Sequence, residues 1–310
     1  MRFDHLERRL DRLANSQLRH LARVDVSQHN AGNAPPTFER LVSQAVSAAQ
    51  FSDPSFERLV RVIYPSAIVL PWGGTPHGGL HRKAWEYVYV LRAAEQLDVL
   101  QPGRRALGFG VGQEPIPAVL ARYGLDVVAT DLAAEAAGDD WTTTGQHLRE
   151  LASLSQPDVV SDEVLARHVT VRQADMNDIP ADLGRFDLVW SSCALEHLGS
   201  PDAGMQFVIR TLDHLEPGGV SVHTTELELT RRATTADYGN IVVYRTADLD
   251  ALVADVRARG FEMEANWHVS METPADRWIA EHPYDDPSHL KLTIGDSIST
   301  SVGLLIRRPR

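Results

Sequence analysis

The sequence predicts a doubly wound α/β fold, and three observations support this prediction. Residues 105–124 contain a short apolar strand, a glycine turn and a helix in direct succession. A second apolar run follows at 125–130, and a later run at 186–191 is typical of a strand covered on both faces. Helix patterns with capping signals separate these runs, as they do where crossover helices join parallel strands. The chain has 310 residues, enough for one large domain of this kind and an appendage.

The glycine turn indicates a binding site. The first apolar strand ends in alternating glycines, Gly108, Gly110 and Gly112. Glycine lets the backbone approach a ligand closely, and the helix that opens at Glu114 offers free N–H groups to a carboxylate or phosphate. The next strand ends in Asp131, and an acid at that place holds the ribose hydroxyls of a nucleotide. The sequence therefore predicts a site for a ligand that contains adenosine.

The spacing of the glycines distinguishes between cofactors. The dinucleotide fingerprint needs a glycine at Gln113, whereas the glycines here follow G-x-G-x-G. This pattern resembles the first motif of the class I S-adenosylmethionine-dependent methyltransferases, over roughly residues 84–220 and more weakly to 308. The resemblance implies a seven-stranded, mostly parallel sheet, with S-adenosyl-L-methionine as cofactor and S-adenosyl-L-homocysteine as product. The family usually has an acid where this chain has Ala106, and either Glu114 or Glu86 holds the methionine end instead.

The resemblance also implies a set of cofactor-binding residues. Asp175 follows a third strand at 168–173, where the family places the partner of the adenine amino group, and Met176 would lie along the ring. A turn aspartate without a ligand is the alternative interpretation of Asp175. The predicted cofactor-binding residues are Gly108, Phe109, Gly110, Gly112, Glu114, Asp131, Leu132, Asp175, Met176, Ser191 and Ser192.

Three residues near the ends of the fourth and fifth strands are candidates for catalysis. A sulfonium methyl donor is already activated, but a hydroxyl acceptor needs a general base, and histidine suits this task. His197 is the first candidate because it lies just past the fourth strand, at the edge where open α/β sheets bind ligands. Glu196 and His223 complete the predicted catalytic set. The alternatives stay open that His197 only holds its loop or the ribose region, and that His223 is a satisfied core histidine.

A metal-assisted mechanism is the less favoured hypothesis. Glu196, His197 and His223, with Glu226 nearby, resemble in part the metal site of the small-RNA 3′-end methyltransferases. Cys193 replaces the first glutamate of that pattern, and the acidic balance of the chain argues against RNA. We therefore predict no metal ligand and expect Cys193 to be a small apolar residue beside the cofactor.

Composition limits the partners. The formal net charge of −12 argues against nucleic acid, because neutralised phosphates supply most of that affinity. No apolar run approaches the length of a membrane span, and the N-terminus lacks the apolar core of a signal peptide. A single cysteine suggests a reducing compartment, so a cytoplasmic location is expected.

The sequence predicts two parts of the chain. Residues 1–81 form an N-terminal helical segment and a Pro/Gly-rich loop, and residues 82–310 form the S-adenosylmethionine-binding domain. In the first part we predict a helix at 1–24, two short helices at 37–49 and 54–63, and a long loop at 64–81. The first helix either docks on its own domain or is the contact of a homo-oligomer, and the loop is either a substrate lid or a connecting segment.

The predicted function is S-adenosylmethionine-dependent methyl transfer to a hydroxyl of a small-molecule or glycan acceptor, with His197 as general base. Residues 85–87, 108–115 and 191–197 together resemble bacterial methyltransferases linked to surface-glycan synthesis, which favours a sugar hydroxyl. One alternative is an NAD(P)-dependent oxidoreductase, which would need glycine at 113 and would leave Asp175 and Met176 unexplained. The other alternative is a non-catalytic methyltransferase-like scaffold that binds a partner.

Overall fold

The computed structural model describes residues 13–66, 80–133, 148, 150–282, 284 and 288–310. The first half of the predicted N-terminal helix and most of the Pro/Gly-rich loop lie outside these residues. Among the described residues, no helix combines the length and the apolar character that a membrane crossing needs.

The described helices are residues 13–21, α1 (Ser27–Asn30), α2 (Pro54–Ile63), α3 (Arg82–Gln96), α4 (Ile116–Arg122), α5 (Asp162–His168), α6 (Pro201–Thr211), α7 (Thr246–Ala258) and α8 (Pro274–Arg277). Short 3₁₀ turns lie at Ala48–Ser52, Leu151–Leu154, Ala181–Leu183, Leu195–His197 and Leu212–His214. The described strands are β1 (Ser43–Ala45), β2 (Leu80–His81), β3 (Arg105–Phe109), β4 (Asp126–Asp131), β5 (Val169–Gln173), β6 (Phe186–Ser192), β7 (Leu215–Glu228), β8 (Ala236–Asp237), β9 (Val242–Val243), β10 (Glu262–Met263), β11 (Ala265–Asn266), β12 (Ile279–Ala280), β13 (Ser288–His289), β14 (Lys291–Ile294) and β15 (Ser297–Arg307).

A mostly parallel sheet forms the centre of the molecule. Its path runs β11-β1-β15-β7-β6-β3-β4-β5, with β10 and β14 also paired to β15. The five strands from β7 to β5 are parallel, and β15 runs antiparallel to β7. The chain fills the sheet outward from β3 to β5 and then returns to β6 on the other side of β3. Open α/β sheets bind ligands at such a switch point, beside the carboxyl ends of the strands.

Alternate residues of the central strands face two apolar layers. Ala106 of β3 belongs to the layer that contains Trp85 of α3, whereas Leu107 belongs to the layer that contains Phe207 of α6. This two-sided burial explains why β3 is apolar throughout its centre. Helix α6 starts where the sequence predicts a start, since the Ser200 hydroxyl accepts the Ala203 N–H at 3.2 Å and proline follows it. The doubly wound, mostly parallel fold is thus confirmed, although the described part of the sheet has eleven strands rather than seven.

The helix predicted at 37–49 is wrong. This stretch contains β1, which pairs antiparallel with β15 and parallel with β11, and it then forms the 3₁₀ turn Ala48–Ser52. The three residues of β1 are buried. Pairing with β15 satisfies backbone groups at a buried place, so the sheet overrides the local helical spacing.

The C-terminal region also differs from the prediction. The strand predicted at 261–268 consists of two short strands, β10 and β11, which pair with different partners. The region predicted to be irregular, 271–298, contains α8 and the strands β12 to β14 among its described residues. β11 pairs with β1 and β13 pairs with β2, and both partners are distant in sequence, so no local pattern predicts these pairings.

Gly303 of β15 should not tolerate a side chain. A Cβ atom there would lie 2.2 Å from Cε1 of Tyr89, whose hydroxyl donates to the Val42 carbonyl at 2.7 Å and so holds the ring in place. We expect Gly303→Ala to lower the free energy of unfolding by about 1–3 kcal/mol in urea titrations. In a Tyr89→Ala background the same change should cost much less, and an equal cost in both backgrounds would contradict the contact.

Candidate functional site

A cavity of about 620 Å³ opens at the carboxyl ends of β3, β4 and β6, beside the switch point of the sheet. Most of the predicted site residues line it: Gly110, Gly112, Glu114, Asp131, Leu132, Asp175, Met176, Ser192, Glu196 and His197. Four predicted residues lie behind its wall: Gly108, Phe109, Ser191 and His223.

The glycine turn forms one wall of the cavity with its backbone. Gly110 and Gly112 have φ values of +58° and +54°, in the left-handed region that favours glycine. A Cβ on Gly110 would also lie 2.8 Å from the Cβ of Ala194, which follows β6. The turn is therefore packed closely against the loop after β6, and only glycine fits at this contact.

Asp131 ties the glycine turn to the end of β4. Its carboxylate accepts the N–H groups of Gly112 at 3.2 Å, Leu132 at 2.8 Å and Leu148 at 2.9 Å. The side chain is half-buried in the cavity wall. A carboxylate has about four acceptor positions, so it can also accept hydrogen bonds from the hydroxyls of a ribose.

Asp175 and Met176 lie at the end of β5, across the cavity from the glycine turn's helix. One oxygen of Asp175 accepts the N–H of Asn177 at 2.7 Å, which fixes the turn. Met176 is buried, and its sulfur lies 3.4 Å from the position of a Cβ on Gly110. An apolar side chain beside an acceptor suits a flat ring that carries an amino group, although the turn alone would also explain Asp175.

Gly108 and Phe109 are closely packed behind the cavity wall. A Cβ on Gly108 would lie 2.3 Å from Cζ2 of Trp190, so the glycine makes room for the indole of β6. Phe109 packs edge-on against Phe207, with ring centroids 5.3 Å apart. Neither residue lines the cavity, and the cofactor contact predicted for Gly108 and Phe109 stays a prediction that concerns their backbone atoms.

His223 is a satisfied core histidine. It is fully buried, and its ring nitrogens pair with the hydroxyls of Ser191 at 2.8 Å and Ser221 at 2.7 Å. Burial lowers the pKa of His223 to about 3. The catalytic role predicted for His223, and the cofactor contact predicted for Ser191, are corrected by this geometry, because the two side chains bind each other outside the cavity wall.

His197 reaches the cavity from the 3₁₀ turn after β6. Its Nδ1 lies 2.5 Å from the carbonyl oxygen of Asn240. A carbonyl only accepts, so Nδ1 carries the proton and donates it to this hydrogen bond. In the neutral ring Nε2 is then the basic nitrogen.

Glu196 lies next to His197 and is 1% exposed. The hydroxyl of Thr225 donates to its carboxylate at 3.1 Å, and burial raises the pKa of Glu196. Acceptor atoms of Cys193, Glu196 and Glu226 lie within 4.8 Å of one another. Burial also raises the pKa of the Cys193 thiol, so the sulfur keeps its proton.

Glu196, His197 and His223, the residues of the metal hypothesis, do not meet at one site. His223 is held behind the cavity wall by Ser191 and Ser221 and does not meet Glu196. Glu226 is in close contact with the guanidinium of Arg82, which a metal ion would have to displace. Among the described residues the potential ligands Cys193, Glu196 and Glu226 therefore do not form a site prepared for a cation of high charge.

Two cations at the start of α3 were missed by the sequence analysis. Arg82 contacts Glu226, and Lys83 Nζ lies 2.9 Å from Glu86. Burial alone would raise the pKa of Glu86, but Lys83 and Arg82 outweigh it and lower the pKa to about 2. The spacing of Arg82, Lys83 and Glu86 on a helix is a detectable signal for ion pairs. Their meeting with Glu226 depends on packing between α3 and β7, which the sequence does not show.

Glu114, not Glu86, reaches the cavity. Glu86 is fully buried and is held by Lys83 and by the hydroxyl of Ser301 at 2.6 Å. Glu114 lines the cavity, and the indole N–H of Trp190 donates to it at 2.5 Å. Burial raises the pKa of Glu114 to about 8, although the Trp190 hydrogen bond acts in the opposite direction.

Comparison with known proteins identifies the class of this site. Residues 107–222 match the family model described as a methyltransferase domain, a span that runs from β3 into β7. No curated protein gave a significant match to the sequence. With the fold and the glycine turn, the family match confirms that the chain is a methyltransferase whose cofactor is S-adenosylmethionine.

Several solved structures of methyltransferases are similar to this chain at low sequence identity. The CcbJ methyltransferase from Streptomyces caelestis is 15% identical over 70% of this chain and 93% of its own, with a TM-score of 0.39. The glycopeptide N-methyltransferase MtfA, complexed with sinefungin, is 15% identical over 74% of this chain and 88% of its own, with a TM-score of 0.43. The 1,6-didemethyltoxoflavin-N1-methyltransferase from Burkholderia thailandensis, with bound 1,6-didemethyltoxoflavin and S-adenosylhomocysteine, is 13% identical over 74% of this chain and 79% of its own, with a TM-score of 0.43.

Removal of the Asp131 carboxylate should weaken cofactor binding. Asp131→Ala removes the carboxylate that accepts three backbone N–H groups and that would accept the ribose hydroxyls. We therefore expect about 10- to 100-fold weaker binding of S-adenosylhomocysteine in calorimetry. Asp126→Ala, at the exposed start of the same strand, is the matched control and should bind normally. Unchanged affinity in Asp131→Ala would contradict the placement of the ribose.

The raised pKa of Glu114 should appear in the stability of the protein. Between pH 4.5 and about 8 the folded state keeps a proton that the unfolded state has released, so this group makes stability fall as pH rises. Glu114→Gln cannot titrate and keeps a partner for Trp190. The free energy of unfolding of the variant, measured in urea, should therefore rise relative to that of the wild type from pH 5 to pH 8, by up to about 1.4 kcal/mol per pH unit. A difference that does not change with pH would show that Glu114 is ionised throughout.

Proposed function

We propose that the chain transfers a methyl group to a hydroxyl of a small-molecule or glycan acceptor, with His197 as the general base. The observation that carries this proposal is the hydrogen bond from His197 to the Asn240 carbonyl. It fixes the tautomer whose basic nitrogen is Nε2 and anchors the ring in the cavity wall.

The cofactor would lie along the cavity in a defined direction. Asp131 would accept the ribose hydroxyls, and Asp175 with Met176 would hold the adenine, because these groups lie together at the ends of β4 and β5. Glu114 would accept hydrogen bonds from the ammonium of the methionine part, whose positive charge would lower the raised pKa of this carboxyl. It would take the role that an acid at the position of Ala106 has in relatives. When bound, S-adenosylmethionine supplies an activated methyl group.

His197 would remove the proton of the acceptor hydroxyl. A hydroxyl is a poor nucleophile near neutral pH, and a positioned base contributes about 10²- to 10⁴-fold to such a step. The cavity would hold the acceptor in line with the methyl group and the sulfur, and positioning of this kind can supply about 7–11 kcal/mol.

The acceptor, the location and the role of the N-terminal segment complete the proposal. We propose a sugar hydroxyl as acceptor, a cytoplasmic location, and no nucleic-acid partner, the last supported by the net charge of −12. We also propose that residues 1–81 act as a segment that shapes the acceptor pocket or an oligomer contact. The exposure of Leu13 (40%) and Leu18 (64%) on the helix at 13–21 supports the oligomer contact. The methyltransferase-domain match disfavours the oxidoreductase alternative.

Loss of the His197 ring should affect turnover more than binding. We expect His197→Ala to lower kcat by about 10²- to 10⁴-fold, measured as transfer of a labelled methyl group to a panel of sugars and other alcohols. The affinity for S-adenosylhomocysteine should change little. His214→Ala is the matched control, because His214 also binds a backbone carbonyl through Nδ1 but lies outside the cavity wall. Equal losses of kcat and cofactor affinity in His197→Ala would make His197 a cofactor residue instead.

A further inference from the structure

We infer that the acceptor carries a protonated amino group, which the carboxylate of Glu196 binds beside the hydroxyl that is methylated. This inference rests on the proposed function and names the substrate class of the same cavity: amino alcohols, with amino sugars among them. The part of the cavity wall formed by Cys193, Glu196, His197 and Glu226 is called the acceptor end below.

Glu196 faces the acceptor end, where burial raises the pKa of its carboxyl and a bound cation would favour the ionised form. The residue is 1% exposed, lines the cavity and accepts one side-chain hydrogen bond, from Thr225. In the described part of the chain no lysine, arginine or histidine lies within ion-pair distance of its carboxylate. A buried carboxylate is costly without a cationic partner, so a ligand that brings a cation gains affinity there.

The neighbouring charges already have partners. Glu226 contacts Arg82 and accepts the hydroxyl of Ser299 at 2.6 Å. Glu86 lies 2.9 Å from Lys83. Arg82 and Lys83 also line the cavity, but they are engaged with these two carboxylates. Glu196 is therefore the carboxyl that a positively charged ligand group would ionise and bind.

The arrangement of acceptors fits an ammonium group. An ammonium has three N–H donors, and acceptors placed tetrahedrally around it at hydrogen-bond distance lie about 4.6 Å apart. Acceptor atoms of Cys193, Glu196 and Glu226 lie within 4.8 Å of one another. A divalent metal would need Arg82 to leave Glu226 and the thiol to lose its proton, whereas an ammonium needs neither change.

The amino group serves recognition and keeps its proton. Its positive charge stays on Glu196, while the hydroxyl loses its proton to His197 and forms the new bond to the methyl carbon. An ammonium has no lone pair with which to attack the methyl group, so Glu196 determines specificity and directs transfer to the hydroxyl.

The test measures binding of matched probes to the protein saturated with S-adenosylhomocysteine. Glucosamine is compared with glucose, and ethanolamine with ethylene glycol, by calorimetry or ligand-observed NMR at pH 7. We expect the amine of at least one pair to bind about 10-fold or more tightly than its neutral partner. Glu196→Gln should remove this preference, and Glu196→Asp should retain part of it.

Two controls distinguish a failure of this inference from a failure of the proposed methyltransferase function. Asp202→Asn removes one negative charge at the start of α6, outside the cavity wall, and should keep the amine preference. Normal affinity of Glu196→Gln for S-adenosylhomocysteine shows that the variant is folded. If the wild type fails to bind S-adenosylhomocysteine, the proposed function itself is wrong.

Three results would overturn the inference alone. The first is cofactor binding with no amine preference in either pair, and the second is a preference that survives in Glu196→Gln. The third is binding of Mg²⁺ or Zn²⁺ to the wild type that Glu196→Gln abolishes, which would assign the acceptor end to a metal ion.

Discussion

The hydrogen bond between the Gly112 N–H and the Asp131 carboxylate joins two walls of the cavity. It connects the turn after β3 to the end of β4, at 3.2 Å. The turn can adopt this position because Gly110 and Gly112 have positive φ values, and because Gly108 makes room for Trp190 below it. Trp190 in turn donates to Glu114 on the far side of the turn. Packing of β3 on β6 thus positions both the backbone and the carboxylates that face the cavity.

The electrostatic design of the cavity differs between its two ends. At the ends of β4 and β5, backbone N–H groups orient Asp131 and Asp175, and no described cation neutralises them at ion-pair distance. At the acceptor end, Arg82 and Lys83 neutralise Glu226 and Glu86 and leave Glu196 for a ligand. Buried ion pairs of this kind contribute little to stability relative to apolar packing. Their effect here is to fix which carboxylate faces the acceptor.

The sequence predicted what depends on local patterns. The strands β3, β4 and β6 are apolar because both faces of the sheet are covered, and the glycine spacing distinguished a methyltransferase turn from a dinucleotide fingerprint. Prediction failed where distant segments meet. Residues 37–49 have a helical spacing of apolar residues, but part of this stretch forms β1 and pairs with β15. The side chain of His223 faces Ser191 and Ser221 because side chains alternate along β7 and this position points away from the cavity. Arg82 and Lys83 became site residues only through the packing of α3 on β7.

The central claim is that S-adenosylmethionine lies between the glycine turn and Asp131 with its reactive end towards His197. A crystal structure of the complex with S-adenosylhomocysteine tests it most directly. We expect both ribose hydroxyls within hydrogen-bond distance of the Asp131 carboxylate and the sulfur nearest to the loop that carries Cys193 and His197. A nucleoside bound elsewhere, or bound with its sulfur turned away from this loop, would contradict the account.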